Sequence, residues 1–141
     1  MKMTQFSLFL QNKTGELARV VDTLGRAGVN IEGLAISDGI HTGIMKVVVD
    51  KPAPARAALA AANVPCSEQE VLVVPLRNTP GALADLCTKL ALEGLSIDYI
   101  YGSTCGHATT EASGCRLMVS VSDVPKAQSA IGLALGGWPR P

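Results

Sequence analysis

Hydrophobic and polar residues alternate at the start of the chain and then change to a helical period. Residues 4–11 place Phe6, Leu8 and Leu10 on one face, and this alternation predicts a β-strand. The next apolar residues recur at i, i+3, i+4 and i+7, the spacing of an amphipathic helix. These positions are Leu17, Val20, Val21 and Leu24.

The rest of the first half continues as two strands, a helix and a further strand. Strands are predicted over residues 29–37 and 44–50. An alanine-rich segment over residues 52–62 opens with prolines, which favours a helix. The apolar run 71–76 predicts another strand, and we expect residues 65–76 to form one long or bent strand that closes the first half and begins the second.

The pattern then restarts, which indicates an internal duplication. The first helical stripe recurs 66 positions later (83 − 17), whereas Pro125 matches Pro52 at a shift of 73 (125 − 52). The difference of seven residues (73 − 66) predicts an insertion within residues 102–114. The pattern of each half therefore predicts the element order β-α-β-β-α-β, which is that of a ferredoxin-like module. The recurring stripe consists of Leu83, Leu86, Cys87 and Leu90.

The duplication predicts an α+β protein with two tandem modules, residues 1–69 and 70–141. Each module should have an antiparallel sheet with its helices on one face. We expect the second module to lack its last strand, because only a short segment follows its predicted second helix. The strand over residues 72–76 would then lose a neighbour, and an uncovered edge invites association. We therefore expect a homodimer with a two-fold axis.

Composition narrows the classes of function. Lys plus Arg and Asp plus Glu both number 12, so the net charge is zero, which argues against a nucleic-acid surface. No apolar run approaches the roughly 18 residues of a membrane span. The N-terminus has no signal-peptide layout, so a cytoplasmic location is expected by default.

One polar turn occurs twice, each time between the first strand and the first helix of a half. The copies are Asn-Lys-Thr-Gly-Glu-Leu over residues 12–17 and Asn-Thr-Pro-Gly-Ala-Leu over residues 78–83. Thr14 and Thr79 are predicted to be helix N-caps, and Pro80 the first helical residue. A helix N-terminus offers free N–H groups and a partial positive charge, which suit a carboxylate or phosphate.

The glycine and asparagine residues near these turns have two interpretations each. Gly15 and Gly81 would let another group approach the backbone closely. Asn12 and Asn78 could hydrogen-bond a ligand's carboxylate or ammonium, or they could simply form the turn. Asn30 could contact a ligand or form the turn that enters its strand.

The predicted insertion contains a group of residues that could bind a metal or react. Cys105, His107 and Cys115, with Glu111 nearby, include the residue types that bind zinc. Their spacing matches no known zinc-binding pattern, and a fourth ligand would have to come from elsewhere. We predict no metal, no cofactor and no catalytic residue here, and we interpret His41 as a solvated loop residue.

The element order, together with Asn-x-x-Gly-x-Leu over residues 12–17 and Asn-x-Pro-Gly-x-Leu over residues 78–83, resembles the ACT domain. This is the small regulatory module appended to amino-acid biosynthetic enzymes such as phosphoglycerate dehydrogenase and aspartokinase. Gly-Val-Asn-Ile over residues 28–31 resembles the start of the family's second strand. The resemblance covers nearly the whole chain as two tandem copies with no catalytic domain attached.

The resemblance implies a non-catalytic protein that binds an amino acid or a similar zwitterion where two modules meet and regulates a partner enzyme or pathway. The first copy of the turn lacks the family's proline, and Ser96 stands where Asn30 stands, so one or both copies could bind. The alternatives are an interaction module without a ligand, and a small enzyme or metal protein that uses the insertion. The implied ligand-binding residues are Asn12, Thr14, Gly15, Glu16, Leu17, Asn30, Asn78, Thr79, Pro80, Gly81, Ala82 and Leu83.

Overall fold

The computed structural model describes residues 1–37, 39, 42–104 and 114–134, and strands and helices alternate along them in the predicted order. This confirms the predicted α+β fold, with β-α-β-β-α-β in the first half and, from the shared strand onward, β-α-β-β-α in the described part of the second half. The elements are β1 (Lys2–Gln11), α1 (Glu16–Arg26), β2 (Ile31–Ser37), β3 (Thr42–Val49), α2 (Pro52–Ala61), β4 (Cys66–Arg77), α3 (Ala82–Leu92), β5 (Ile97–Thr104), β6 (Gly114–Val121) and α4 (Val124–Ala134).

The first compact unit contains Met3–Glu70, and in it β2, β3 and β1 are neighbours in that order and pair antiparallel. Met45 of β3 lies opposite both Leu8 of β1 and Ile36 of β2. The predicted helical stripe is buried at Val20 and Leu24, which bring α1 into the core. The buried core residues are Phe6, Leu8, Leu10, Val20, Leu24, Val29, Met45, Val47, Val49, Ala55, Leu59 and Val64.

The second compact unit begins at Val71 and also takes Met1–Lys2 from the start of the chain. Its strands have the order β4-β6-β5 and are antiparallel, with Met118 of β6 opposite Val73 of β4. α3 and α4 bury apolar side chains in the core of this unit, as expected for amphipathic helices on a sheet. The buried core residues are Leu72, Val74, Leu86, Leu90, Leu95, Leu117, Val119, Val121, Ala127 and Ile131.

The start of the chain lies beside β4 in the second unit. The Val73 N–H donates to the Met1 carbonyl at 2.7 Å, and the Met1 ammonium donates to the Val73 carbonyl at 3.4 Å. The sequence predicted that residues 72–76 would lose a neighbour for want of a fourth strand. The structure corrects this at Val73, because the first residue of the chain occupies that place.

β4 is a single strand, as predicted, and runs from Cys66 to Arg77. In the first unit, Arg56 of α2 forms a forked ion pair with Glu68 of β4, with both N···O distances 2.6 Å. The hydrogen bonds from Arg56 hold the pKa of the Glu68 carboxyl below its ordinary value. Both side chains are partly exposed, so the pair adds only modest stability to the unit.

The helices of the described residues are short. α1, α3 and α4 have 11 residues each and α2 has 10. Within the part of the chain that the structure describes, none is long and apolar enough to cross a membrane.

Candidate functional site

Both copies of the polar turn have a glycine in the left-handed region immediately before the helix. Gly15 has φ 87° and ψ −9°, and Gly81 has φ 88° and ψ −20°. These are the angles of the third residue of a type II turn, a turn that favours proline at its second position, where Pro80 stands. The predicted caps Thr14 and Thr79 are therefore wrong, because the glycines are the N-caps, and Pro80 precedes the helix.

A hydrogen bond closes each turn in the same way. The Glu16 N–H donates to the Lys13 carbonyl at 3.3 Å, and the Ala82 N–H donates to the Thr79 carbonyl at 3.2 Å. A glycine N-cap has no side chain with which to satisfy the remaining N–H groups of the first helical turn. Those groups are consequently left for solvent or for a ligand to bind.

The first turn borders a pocket of about 700 Å³ that lies within the first unit. The end of β1, the turn, the first residues of α1, the start of β3 and the segment between α2 and β4 contribute to it. Of the predicted site residues, the structure places Thr14, Gly15 and Glu16 in its wall. The lining residues are Phe9, Gln11, Lys13, Thr14, Gly15, Glu16, Arg19, Thr42, Asn63, Val64 and Pro65.

The far wall of the pocket is positioned by the end of α2. Asn63 has φ 52°, and its N–H donates to the Ala60 carbonyl, while the Val64 N–H donates to the Leu59 carbonyl at 3.0 Å. This is a Schellman motif, with asparagine as the left-handed residue. The chain then returns to β1, where the Phe9 N–H donates to the Pro65 carbonyl at 3.2 Å.

The pocket contains an ion pair between Glu16 and Arg19, one helical turn apart on α1. Arg19 donates through Nη2 to Oε1 at 2.8 Å and through Nε to Oε2 at 3.2 Å. Its Nη1 donates to the carbonyl of Ala62, the C-cap of α2, at 3.4 Å. The hydrogen bonds lower the pKa of the Glu16 carboxyl and raise the pKa of the Arg19 guanidinium, so both groups are charged at neutral pH.

The pocket has more positive than negative side-chain charge. Lys13 stands beside the pair and, after Arg19, also lowers the pKa of the Glu16 carboxyl through its charge. Two cationic side chains, one carboxylate and a helix N-terminus therefore meet at one opening. This arrangement favours a small ligand that has an anionic group and can also present a cation.

Three of the predicted residues of the first unit do not line this pocket. Asn12 is exposed at the start of the turn, and Leu17 is exposed in the first turn of α1. Asn30 lies beyond the other end of α1, where its side chain donates to Glu32 at 2.8 Å and its N–H donates to the Asp50 carboxylate at 2.8 Å. These bonds favour a structural role for Asn30 within this unit.

The second copy of the turn has the same backbone but different chemistry. Asn78, Thr79, Pro80 and Gly81 are exposed, Ala82 is partly buried and Leu83 is exposed. At the shift of 66 positions, Ala82 stands where the first unit has Glu16 (82 − 16), and Asp85 stands where it has Arg19 (85 − 19). The ion pair of the first pocket is thus absent from these positions of the described second unit.

Most residues of the predicted insertion lie outside the part of the chain that the structure describes. Cys105, His107 and Glu111 lie outside the described residues, as does His41. Cys115 is partly buried in β6 and its thiol donates to the Leu76 carbonyl at 3.7 Å. Among the described residues no group of three His, Cys, Asp or Glu side chains could hold a metal ion.

Sequence reasoning missed eight of the eleven residues that line the pocket, among them Arg19. Arg19 stands on the polar face of an amphipathic helix, where a charged residue is ordinarily solvated. Its spacing of three residues from Glu16 was the available signal, because such a pair faces one side of a helix. The sequence does not show that the segment between α2 and β4 closes the pocket, because this contact is long-range and forms only in the folded unit.

The comparisons with known proteins agree with this fold. A family model described as an ACT domain pair matches residues 1–111. The chain therefore belongs to the ACT domain family, which confirms the predicted resemblance. A comparison with curated proteins finds no match.

Several crystal structures are similar to the whole chain. A protein from Bacteroides thetaiotaomicron is 27% identical, with a TM-score of 0.84 over 96% of this chain and 90% of that one. The ligand-free regulatory subunit of aspartate kinase from Thermus thermophilus is 18% identical, with a TM-score of 0.68 over 94% and 92%. The corresponding subunit from Thermus flavus is 17% identical, with a TM-score of 0.60 over 96% and 94%.

Proposed function

We propose that this protein is a non-catalytic regulator that binds an amino acid or a similar zwitterion and modulates a partner enzyme or pathway. The observation that carries the proposal is the pocket at the first turn, where the Gly15 backbone and charged side chains meet. A carboxylate would accept hydrogen bonds from the N–H groups of the first turn of α1. The membership in the ACT domain family and the likeness to regulatory subunits support the same role.

We also propose the bounds of the two tandem modules and the location of the protein in the cell. We take residues 1–69 and 70–141 as the two modules and place the protein in the cytoplasm, with no nucleic-acid or membrane partner. The equal numbers of acidic and basic residues, 12 of each, support the absence of a nucleic-acid partner. The predicted ligand contacts at Asn12 and Leu17, and those at residues 78–83, stay sequence predictions and are not part of the proposed binding pocket.

A thermal-shift panel of the twenty standard L-amino acids tests the function. We expect one amino acid, or a few related ones, to raise the unfolding temperature in a concentration-dependent manner. At 100 times its dissociation constant, a ligand of the native state adds about 2.7 kcal/mol to the free energy of unfolding. If all twenty leave the unfolding temperature unchanged at 10 mM, the protein is an interaction module without an amino-acid ligand.

We further propose that the protein is a homodimer, with association at β2. This strand forms one edge of the first unit's sheet, and Leu34 and Ile36 on it are 40% and 49% exposed. A strand edge with exposed apolar side chains favours pairing with a second chain across a two-fold axis.

Light scattering at micromolar concentration tests the assembly. The expected result is twice the mass of one chain, falling to one chain in the variant Ile36→Lys. Leu92→Lys is the matched control, because Leu92 is 82% exposed on α3 and lies far from β2 in sequence and outside its unit. A wild-type protein with the mass of one chain would contradict the proposed dimer.

A further inference from the structure

The Glu16–Arg19 pair differs from an ordinary surface ion pair on the same helix. The Glu16 side chain is only 13% exposed, whereas the Arg19 side chain is 46% exposed. In the Asp22–Arg26 pair of α1, the side chains are 60% and 81% exposed. The guanidinium of Arg19 therefore covers a sheltered carboxylate, and both groups line the pocket.

The geometry of the pair also leaves Arg19 able to change partners. Its Nη1 is held at 3.4 Å from the Ala62 carbonyl, which fixes one side of the guanidinium at the end of α2. The other two contacts are hydrogen bonds of 2.8 and 3.2 Å to Glu16. An arginine fork matches any carboxylate, so a ligand carboxylate can replace that of Glu16 without loss of hydrogen-bonding geometry.

We propose that an α-amino acid binds the first unit by opening this ion pair. The ligand carboxylate takes the place of Glu16 on Arg19, and the ligand ammonium binds the freed Glu16 carboxylate. The inference rests on the proposed function and names the residues that select its ligand. The exchange replaces one charge-assisted pair by two, so a ligand that has only one of the two charges leaves either Arg19 or Glu16 without its partner.

We expect one ligand in each chain, bound to the first unit. The second unit has Ala82 and Asp85 at the positions of Glu16 and Arg19, and Thr79 at the position of Lys13, each 66 residues on. An alanine and an aspartate cannot provide a carboxylate–guanidinium pair. The second turn therefore repeats the backbone of the site without the side chains that recognise a zwitterion.

Calorimetry with the amino acid that gives the largest thermal shift tests the exchange. The probes are that amino acid, its methyl ester and its N-acetyl derivative, which remove the carboxylate charge and the ammonium charge respectively. We expect the wild-type protein to bind one free amino acid per chain and both derivatives at least tenfold more weakly. We expect Arg19→Gln to bind the free amino acid at least tenfold more weakly and to lose its preference over the methyl ester.

The companion variants separate recognition from folding. Glu16→Gln should lose the preference over the N-acetyl derivative, and Arg19→Lys should keep part of the affinity, because it keeps the charge without the fork. Arg26→Gln removes the exposed pair on the same helix and should bind as the wild type does. Urea unfolding of each variant establishes that binding is compared between folded proteins.

The failures of the two proposals are distinguishable. If the wild-type protein binds none of the twenty amino acids, the proposed function is wrong and this inference with it. If the wild type binds but Arg19→Gln has the same affinity and the same preference over the methyl ester, only the exchange is wrong. Two ligands per chain in the wild type would contradict the assignment to the first unit alone.

Discussion

Replacing Leu90 with alanine should lower the free energy of unfolding of the second unit by about 2–5 kcal/mol. Leu90 is fully buried on α3 and belongs to the core that α3 and α4 form on their sheet. Truncation removes apolar surface from the core and leaves a cavity that the surrounding side chains fill only in part. Urea unfolding followed by circular dichroism measures the loss.

The duplication provides both a repeat of this test and its control. Leu24 occupies the same place in the first unit, 66 residues earlier (90 − 24), and is also fully buried, so Leu24→Ala should cost a similar amount. Leu83 is 47% exposed on the same helix as Leu90, so Leu83→Ala should cost below about 1 kcal/mol. An equal cost for Leu83→Ala and Leu90→Ala would contradict the core assignment.

The two helical stripes explain why the order of elements could be predicted from the sequence. Burial of Val20 and Leu24 in one unit, and of Leu86 and Leu90 in the other, follows from spacing within single helices. Such spacing depends on the geometry of the local backbone. The same stripes include Leu17, which the sequence assigned to the apolar face and which is 39% exposed, so the stripe does not predict the burial of every member.

The placement of Met1 could not be predicted in this way. Its hydrogen bonds to Val73 join residues 72 positions apart, and no local pattern encodes such a contact. The sequence predicted no strand after α4, and none follows it among the described residues. It gave no indication that the first residue of the chain would occupy part of that place.

The turns show what local reasoning overlooked. Threonine before glycine was interpreted as a helix cap, because threonine is a common N-cap. Thr79-Pro80-Gly81-Ala82 also has the signature of a type II turn, with proline second and glycine third, and this pattern predicts the observed backbone. Arg19 was missed for a different reason, since its importance depends on the depth of Glu16 in a pocket that long-range packing creates.

Replacing Gly81 with valine should lower the free energy of unfolding by about 1–3 kcal/mol, because its φ of 88° is costly for a β-branched residue. Apart from Gly81 itself and its two chain neighbours, no atom of the described structure lies within 4 Å of a Cβ built at this position, so the cost is one of backbone conformation and not of collision. Asparagine tolerates the left-handed region, so Gly81→Asn should cost below about 1 kcal/mol. Equal losses for the two variants in urea would contradict this explanation.

The equivalent change at Gly15 should affect ligand binding as well as stability. Its φ is 87° and the space around its Cβ position is equally open, so Gly15→Val and Gly81→Val should destabilise the protein to a similar degree. Gly15 lines the pocket, and a valine side chain there would occupy space that a bound amino acid needs. We therefore expect calorimetry to show weaker amino-acid binding in Gly15→Val and unchanged binding in Gly81→Val. Equal affinities in the two variants would place the ligand away from the first turn.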